Sequence, residues 1–210
     1  MFYEYRIPQA GEHTVIAADP AEGGDFSAAV AKSQKHHDTF ALFHARMESA
    51  QFGYELYKMA QHIKRTTNQW PLIAVERNLG MATIAILNQL NYPNLYRMKA
   101  MAVQYQSGEE NKIGWVTTQP SRQKMLDELL VSVRQRLNVI PSHLVISEME
   151  SFVYHETTGK PQAAEGSNDD LIMAEAIAWQ VLNASPSSAG LESLIHQFPD
   201  VKVDAYGIPA

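Results

Sequence analysis

The sequence contains no cysteine among its 210 residues. This absence excludes disulfide bridges, thiolate nucleophiles and cysteine-based zinc sites, so any bound metal must use oxygen or imidazole ligands. Positive charge is also scarce, since 17 lysines and arginines stand against 23 aspartates and glutamates and the net charge is −6. A protein coated in positive potential for nucleic acid is therefore disfavoured, although a local basic track beside an acidic, metal-binding centre is compatible with this charge.

Long apolar runs are missing as well, because stretches such as 15–18 and 40–43 fall far short of the ~18 residues that a membrane-spanning helix needs. Residues 1–11 carry Glu4 and Arg6, so they lack the continuous apolar centre of a secretory signal. We therefore expect neither a membrane span nor export. A content of 45% hydrophobic and 19% charged residues is typical of one folded domain with appendages.

Hydrophobic periodicity predicts strands and helices along most of the chain. Strands are predicted at 13–19, 27–33, 39–45, 72–75, 95–97 and 152–156, the last entering a hairpin turn at 157–160, and helices at 48–67, 81–90, 121–137 and from 166–170 to 182. Three antiparallel strands, a helix and a further strand parallel to the first predict an α/β fold with a mixed sheet flanked by helices. This order resembles the ribonuclease H-like plan. We divide the chain into an N-terminal extension (1–12), this domain (13–183) and a C-terminal tail (184–210).

Acidic residues stand at the ends of several predicted elements. Asp19 ends the first strand, Glu76 follows the fourth, and Asp169 and Asp170 begin the last helix. Because the first and fourth strands are predicted to be parallel neighbours, Asp19 and Glu76 emerge at the same edge of the sheet, where ligands gather in open α/β folds. Clustered carboxylates repel one another unless cations neutralise them. Two Mg²⁺ or Mn²⁺ ions suit this role, since they take oxygen ligands and substrate phosphates.

Each of these acids also has a local explanation. Asp19 before Pro20, and Asp25, are ordinary turn residues, and Glu76 can pair with its neighbour Arg77. The run 167–170 (Ser-Asn-Asp-Asp) satisfies a helix capping box. The combination favours a shared site, because turn and capping acids seldom converge on one edge by coincidence.

Four parts of the sequence carry a more specific signal: 19–27, 75–78, 113–118 with 122–130, and 159–174. In this order they resemble the C-terminal nuclease domain of the large terminase subunit of tailed bacteriophages. The resemblance implies that Asp19, Glu76 and one aspartate of the pair Asp169-Asp170 bind two divalent cations, Mg²⁺ or Mn²⁺, and cut double-stranded viral DNA during genome packaging, with Asp25 near the site. Which of Asp169 and Asp170 is the principal ligand stays open.

The same resemblance implies a set of partners: double-stranded DNA, the terminase ATPase domain, the small terminase subunit and the portal, in the cytoplasm of a host bacterium and without a membrane. No G-x-x-x-x-G-K-[ST] phosphate loop occurs in the sequence. We therefore expect the ATPase motor domain to be absent from this chain and assign it no ATP hydrolysis.

Contact with DNA phosphates requires cations near the acidic edge. Arg77, Arg122, Lys124 and Lys160 are the candidates, since each lies within or beside a segment assigned to that edge or to the hairpin before the last helix. Two alternatives to a packaging endonuclease remain open. One is a docking module whose tail contacts the portal or capsid, with little cleavage in isolation, and the other is a different ribonuclease H-like nuclease such as a junction resolvase.

Overall fold

A five-stranded sheet with helices on both faces forms the centre of the structure, a computed structural model that describes residues 1–22, 25–98, 112–154, 161–164 and 168–184. The strands are β1 (Phe2–Glu4), β2 (Thr14–Asp19), β3 (Phe26–Ser33), β4 (Thr39–Arg46), β5 (Leu72–Val75), β6 (Arg97–Met98), β7 (Lys112–Ile113), β8 (Phe152–Tyr154) and β9 (Pro161–Ala163). The helices are α1 (Ser49–Thr67), α2 (Arg77–Gln89), α3 (Gln119–Arg134), α4 (His143–Ser151) and α5 (Asp170–Ala184). None of these helices is long and apolar enough to cross a membrane.

The strand order of the central sheet is β1-β4-β3-β2-β5. β2, β3 and β4 form the predicted antiparallel meander, and β5 returns after α1 to pair with β2 in parallel. The mixed sheet and the parallel pairing of the first and fourth predicted strands are therefore confirmed. β6 and β7 form one small antiparallel pair, and β8 and β9 form another.

Several boundaries differ from the sequence prediction. Phe2–Glu4, which belong to the expected N-terminal extension, pair with β4 as the edge strand of the sheet. α2 begins at Arg77 rather than residue 81, because Glu76 supplies its N-cap. α3 ends at Arg134 instead of 137, and Arg136 then has a left-handed backbone with φ of 59°. α4 lies in a segment for which no helix was predicted, and its N-cap is Ser142. The predicted turn at 157–160 and most of the tail lie outside the described residues, and the domain boundaries remain predictions.

The core has two halves, one on each face of the sheet. Successive side chains of a strand point to opposite faces, so Val15 and Ala17 of β2 pack with α3, α4 and α5. Ile16 and Ala18 pack instead with α1 and α2. By the same alternation Asp19, two residues beyond Ala17, lies on the face that α5 covers.

Helix α5 is the most deeply buried helix on that face. Residues 171–179 are all buried, as are Val181 and Leu182, so the helix is apolar nearly all round, as expected of a helix inside a core. One of its buried residues is nevertheless charged, because Glu175 is 0% exposed. The position of α5 therefore depends on how this charge is compensated.

A buried ion pair compensates Glu175. Lys32 of β3, also fully buried, donates from Nζ to Glu175 Oε2 at 2.8 Å, to Thr39 Oγ1 at 2.6 Å and to Asn138 Oδ1 at 2.6 Å. Thr39 in turn donates to Glu175 Oε1 at 2.5 Å. All three ammonium protons and both carboxylate oxygens thus have partners, which is the condition under which a buried ion pair is tolerated.

We predict that Lys32→Met destabilises the domain by about 3–5 kcal/mol, because Glu175 is then buried without its cation. The double variant Lys32→Met/Glu175→Leu recovers most of that loss, since both charges are gone. Urea denaturation of the wild type and of the single and double variants measures the effect. A Lys32→Met variant within about 1 kcal/mol of the wild type would contradict the assignment.

Candidate metal centre

Asp19 and Glu76 stand at the ends of neighbouring parallel strands. The last residues paired between β2 and β5 are Ala18 and Val75, and the Glu76 N–H donates to the Ala18 carbonyl at 2.7 Å. Leu72 and Ala74 of β5 face the α5 half of the core. Glu76, two residues further, therefore lies on the same face as Asp19, so the structure brings this predicted pair together.

Glu76 also has a structural role in its own segment. Its Oε2 accepts the Leu79 N–H at 3.3 Å and caps α2. Its Oε1 is buried without a hydrogen-bond partner among the described residues, and the residue is only 5% exposed. Because buried carboxylate oxygens normally have a partner, this oxygen is a candidate ligand.

The neighbouring segment 113–115 closes the other side of β5. Trp115 forms an isolated parallel β-bridge with Glu76, and the backbone N–H of Trp115 donates to the Val75 carbonyl at 2.8 Å. Gly114 has φ of +94°, and a Cβ at this position would lie 2.8 Å from the Val75 carbonyl oxygen. Only glycine fits this approach, which explains why the segment can lie against the strand that ends at Glu76.

Asp169 and Asp170 stand at the N-terminus of α5, as predicted. Asp169 accepts a hydrogen bond from Arg122 of α3 at 2.5 Å, and the Arg122 guanidinium also lies 6.0 Å from the centre of the Phe152 ring. Asp170 is the first residue of the helix. Of the two aspartates, Asp169 is thus engaged by a cation, and no ion pair to Asp170 occurs within the described part of the chain.

The four acids act on one another electrostatically. Burial raises the pKa of Asp19 well above its usual range, and the charges of Glu76, Asp170 and Asp169 raise it further while Arg122 opposes them. Burial, followed by the charges of Asp169 and Asp25, raises the pKa of Asp170 to about 6. Asp25 is exposed but lies close enough to contribute. The predicted acids therefore belong to one electrostatic cluster.

A further carboxylate, Glu148 of α4, was not predicted from the sequence. It is 9% exposed, and its Oε2 accepts the N–H groups of Leu171 at 3.0 Å and Ile172 at 3.1 Å. Glu148 thus caps the N-terminus of α5 from a different helix and fixes the backbone beside Asp170. The available signal was that Glu148 follows Val145 at helical spacing, which places an acid on the buried side of α4.

The predicted DNA-contacting cations have different environments. Arg77 donates to the Ile113 carbonyl at 3.1 Å, and Arg122 binds Asp169. Lys124 is exposed and pairs weakly with Glu128 at 3.6 Å. Lys160 lies outside the described residues. Arg77 and Arg122 therefore also help to shape the site, and contact with DNA stays a prediction for all four cations.

The donor set, which consists of carboxylates, fits hard divalent cations. As they stand, no three carboxylate or imidazole groups within the described ranges are arranged as a metal site. One oxygen of Glu76 caps α2, and Asp169 is turned to Arg122. All candidate ligands are nevertheless carboxylates, which suit Mg²⁺ and Mn²⁺, and the partnerless buried Glu76 Oε1 points to the same chemistry.

Comparison with known proteins identifies the fold. No family model and no curated protein matches the sequence. The large terminase nuclease from thermophilic phage G20c has a TM-score of 0.60 at 14% identity, with 84% of each chain covered. Its magnesium-bound form has a TM-score of 0.61 at 15% identity, with 84% of each chain covered. The human cytomegalovirus terminase nuclease domain, soaked in manganese, has a TM-score of 0.55 at 9% identity, with 88% of this chain and 93% of that chain covered.

These neighbours confirm the ribonuclease H-like fold of terminase nuclease domains. Sequence identities of 9–15% establish the architecture, whereas function must be argued from the site.

The environment of Glu148 predicts a dependence of stability on pH. Burial, with a smaller contribution from the charges of Asp170 and Asp169, raises its pKa from 4.5 to about 7, against the backbone hydrogen bonds that lower it. Between these values the folded chain holds a proton that the unfolded chain releases. The contribution of this proton to the free energy of unfolding is complete below pH 4.5 and is lost as the pH rises through about 7.

We therefore predict that the stability of Glu148→Gln relative to the wild type increases from pH 5 to pH 8. The increase in the difference between their free energies of unfolding should reach up to about 3 kcal/mol. Urea titrations in a chelating buffer at both pH values provide the measurement. A stability difference that does not change with pH would show that Glu148 does not titrate in this range.

Proposed function

We propose that this chain is the divalent-metal-dependent endonuclease domain of a phage terminase large subunit and cuts double-stranded DNA. The observation that carries the proposal is the meeting of Asp19 and Glu76 at adjacent parallel strand ends, beside Asp170 at the start of α5. The likeness to terminase nucleases, including one with bound magnesium, supports it. Composition alone gave no such indication, since the net charge is −6.

Asp19, Glu76 and Asp170 are the proposed principal ligands of two Mg²⁺ or Mn²⁺ ions. Asp170 is preferred to Asp169 because Asp169 already accepts from Arg122. Asp169 then contributes charge and an adjustable fourth carboxylate, and Asp25 adds charge from the loop before β3. Burial, and after it the charges of neighbouring carboxylates, raises the pKa of Asp19 and that of Asp170, and bound cations would relieve the repulsion between these charges.

Divalent cations at such a site lower the pKa of a water nucleophile and stabilise the charge that develops on a phosphodiester. The contribution of the chain is to hold its carboxylates in position. The strand ends fix Asp19 and Glu76, Glu148 fixes the start of α5, and Arg122 orients Asp169. Phosphate contacts by Lys124 and Lys160, and association with the ATPase domain, small subunit and portal in a host bacterium, belong to this proposal.

Cleavage is expected to depend on the Asp19 carboxylate. Asp19→Asn should reduce Mn²⁺-dependent nicking of a supercoiled plasmid by at least about 1,000-fold, since losing a ligand removes several kcal/mol of transition-state stabilisation. Asp127→Asn is the matched control, because Asp127 is an exposed aspartate whose one hydrogen-bond partner among the described residues is Gln123. Undiminished cleavage by Asp19→Asn would remove Asp19 from the mechanism. Parallel reactions on linear and branched duplexes distinguish a junction resolvase.

The number of bound metal ions is expected to depend on Glu76. Calorimetric titration with Mn²⁺ should give two bound ions per wild-type chain and one for Glu76→Gln, because the amide lacks the charge of the carboxylate. Glu55→Gln serves as control, since Glu55 pairs with Lys58 on α1, away from the cluster. Retention of both ions by Glu76→Gln would exclude Glu76 as a ligand.

A further inference from the structure

Phe26, His44 and Arg46 form a small cluster beside the metal centre that the sequence patterns did not indicate. On β3, Ala28 and Val30 face the α5 half of the core, as does Leu42 on β4. The alternation of side chains therefore places Phe26, His44 and Arg46 on the same face of the sheet as Asp19. We call these three residues the Arg46 cluster.

The register places this cluster close to Asp19. Asp19 pairs with Ala28, so Phe26 is the next residue of β3 on that face, beyond the end of β2. Arg46 lies directly opposite Phe26 on β4. Two strand spacings of about 4.8 Å separate β4 from β2, and Arg46 lies about two residues, or about 7 Å, beyond the level of Asp19 along the strands. The Arg46 backbone is therefore about 12 Å from that of Asp19, within reach of a duplex bound at the acidic centre.

The Arg46 side chain is oriented by the aromatic ring. Its guanidinium carbon lies 4.8 Å from the centre of the Phe26 ring, and the His44 ring stacks on Phe26 at 4.4 Å with an interplanar angle of 22°. Arg46 is exposed, and no carboxylate pairs with it in the portion of the chain that the structure describes. By contrast, Arg6 binds Glu12 and Asp38. A cation held by an aromatic face keeps its N–H groups available for an anion.

We propose that Arg46, held on Phe26, binds a backbone phosphate of duplex DNA lying across the metal centre. This inference rests on the proposed function. A phosphate fits better than an unpaired base, because the Phe26 ring already contacts both His44 and Arg46. Arg46 on β4 then lies beside the acidic centre, so that the DNA is attracted next to a region that repels it.

The test compares Arg46→Gln with Arg65→Gln in the cleavage-deficient Asp19→Asn background. Arg65 is an exposed arginine of α1, on the opposite face of the sheet, and contacts only the Gln61 carbonyl in the described residues. Binding of a fluorescein-labelled 30-base-pair duplex is followed by anisotropy in Mn²⁺ between 50 and 200 mM NaCl.

Arg46→Gln should weaken binding about 5- to 10-fold and lower the slope of log K against log salt by about 1, as expected for one lost phosphate contact. Arg65→Gln should change neither quantity. Arg46→Lys should keep the slope, because the charge remains. Phe26→Leu should weaken binding without changing the slope, because the charge of Arg46 remains but the ring that orients it is lost. Melting curves and Mn²⁺ titrations show whether each variant keeps the fold and the Mn²⁺ binding of the Asp19→Asn background.

Unchanged affinity and slope for Arg46→Gln, while the wild-type chain still cuts plasmid DNA, would overturn the inference and leave the proposed function intact. A larger loss for a single-stranded oligonucleotide than for the duplex would also overturn it in favour of base contact. A wild-type chain that binds Mn²⁺ but neither binds nor cuts duplex DNA would overturn both.

Discussion

The placement of helix α5 depends on the buried ion pair between Lys32 and Glu175. The pair is fully satisfied only when Glu175 meets both Lys32 and Thr39 while Lys32 also donates to Asn138. Asp170 lies five residues earlier, which is about 7.5 Å along a helix with a rise of 1.5 Å per residue. A shift of α5 by one residue would turn Asp170 by about 100° and unpair Glu175. We infer that this ion pair sets the register of α5, and with it the position of Asp170 in the acidic cluster, more than it adds net stability.

Carboxylates of the site combine structural and chemical roles. Glu76 caps α2 with one oxygen and leaves the other without a partner, and Glu148 caps α5 beside Asp170. Burial and mutual repulsion raise the pKa of Asp19, of Asp170 and of Glu148, so the cluster lowers stability at neutral pH. Such a cost is typical of functional sites, which retain arrangements that stability alone would remove.

The parts of the fold and site that the sequence predicted depend on local patterns. The β-branched run before Asp19 and the apolar strand before Glu76 define strand ends, and parallel pairing then brings the two acids together. The missed parts depend on tertiary contacts. A three-residue strand such as β1 shows no periodicity, and Glu148 resembles a surface acid until α5 is packed against it. Arg46 gains its position only because β3 and β4 place it opposite Phe26.

Positive charges close to the binding site decide whether a domain with a negative net charge can bind a polyanion such as DNA. Screening in physiological salt limits interactions between exposed charges to about 8 Å, so the net charge of −6 matters less than the cations within that distance of the DNA. Arg122 is paired with the Asp169 carboxylate, whereas Arg77 donates to the Ile113 carbonyl, which is neutral and leaves the charge of Arg77 in place. Under the proposed function, attraction for DNA therefore comes from the bound cations together with nearby side chains that are not neutralised by a carboxylate. Arg46 meets this requirement, because an aromatic ring orients it and leaves its charge intact.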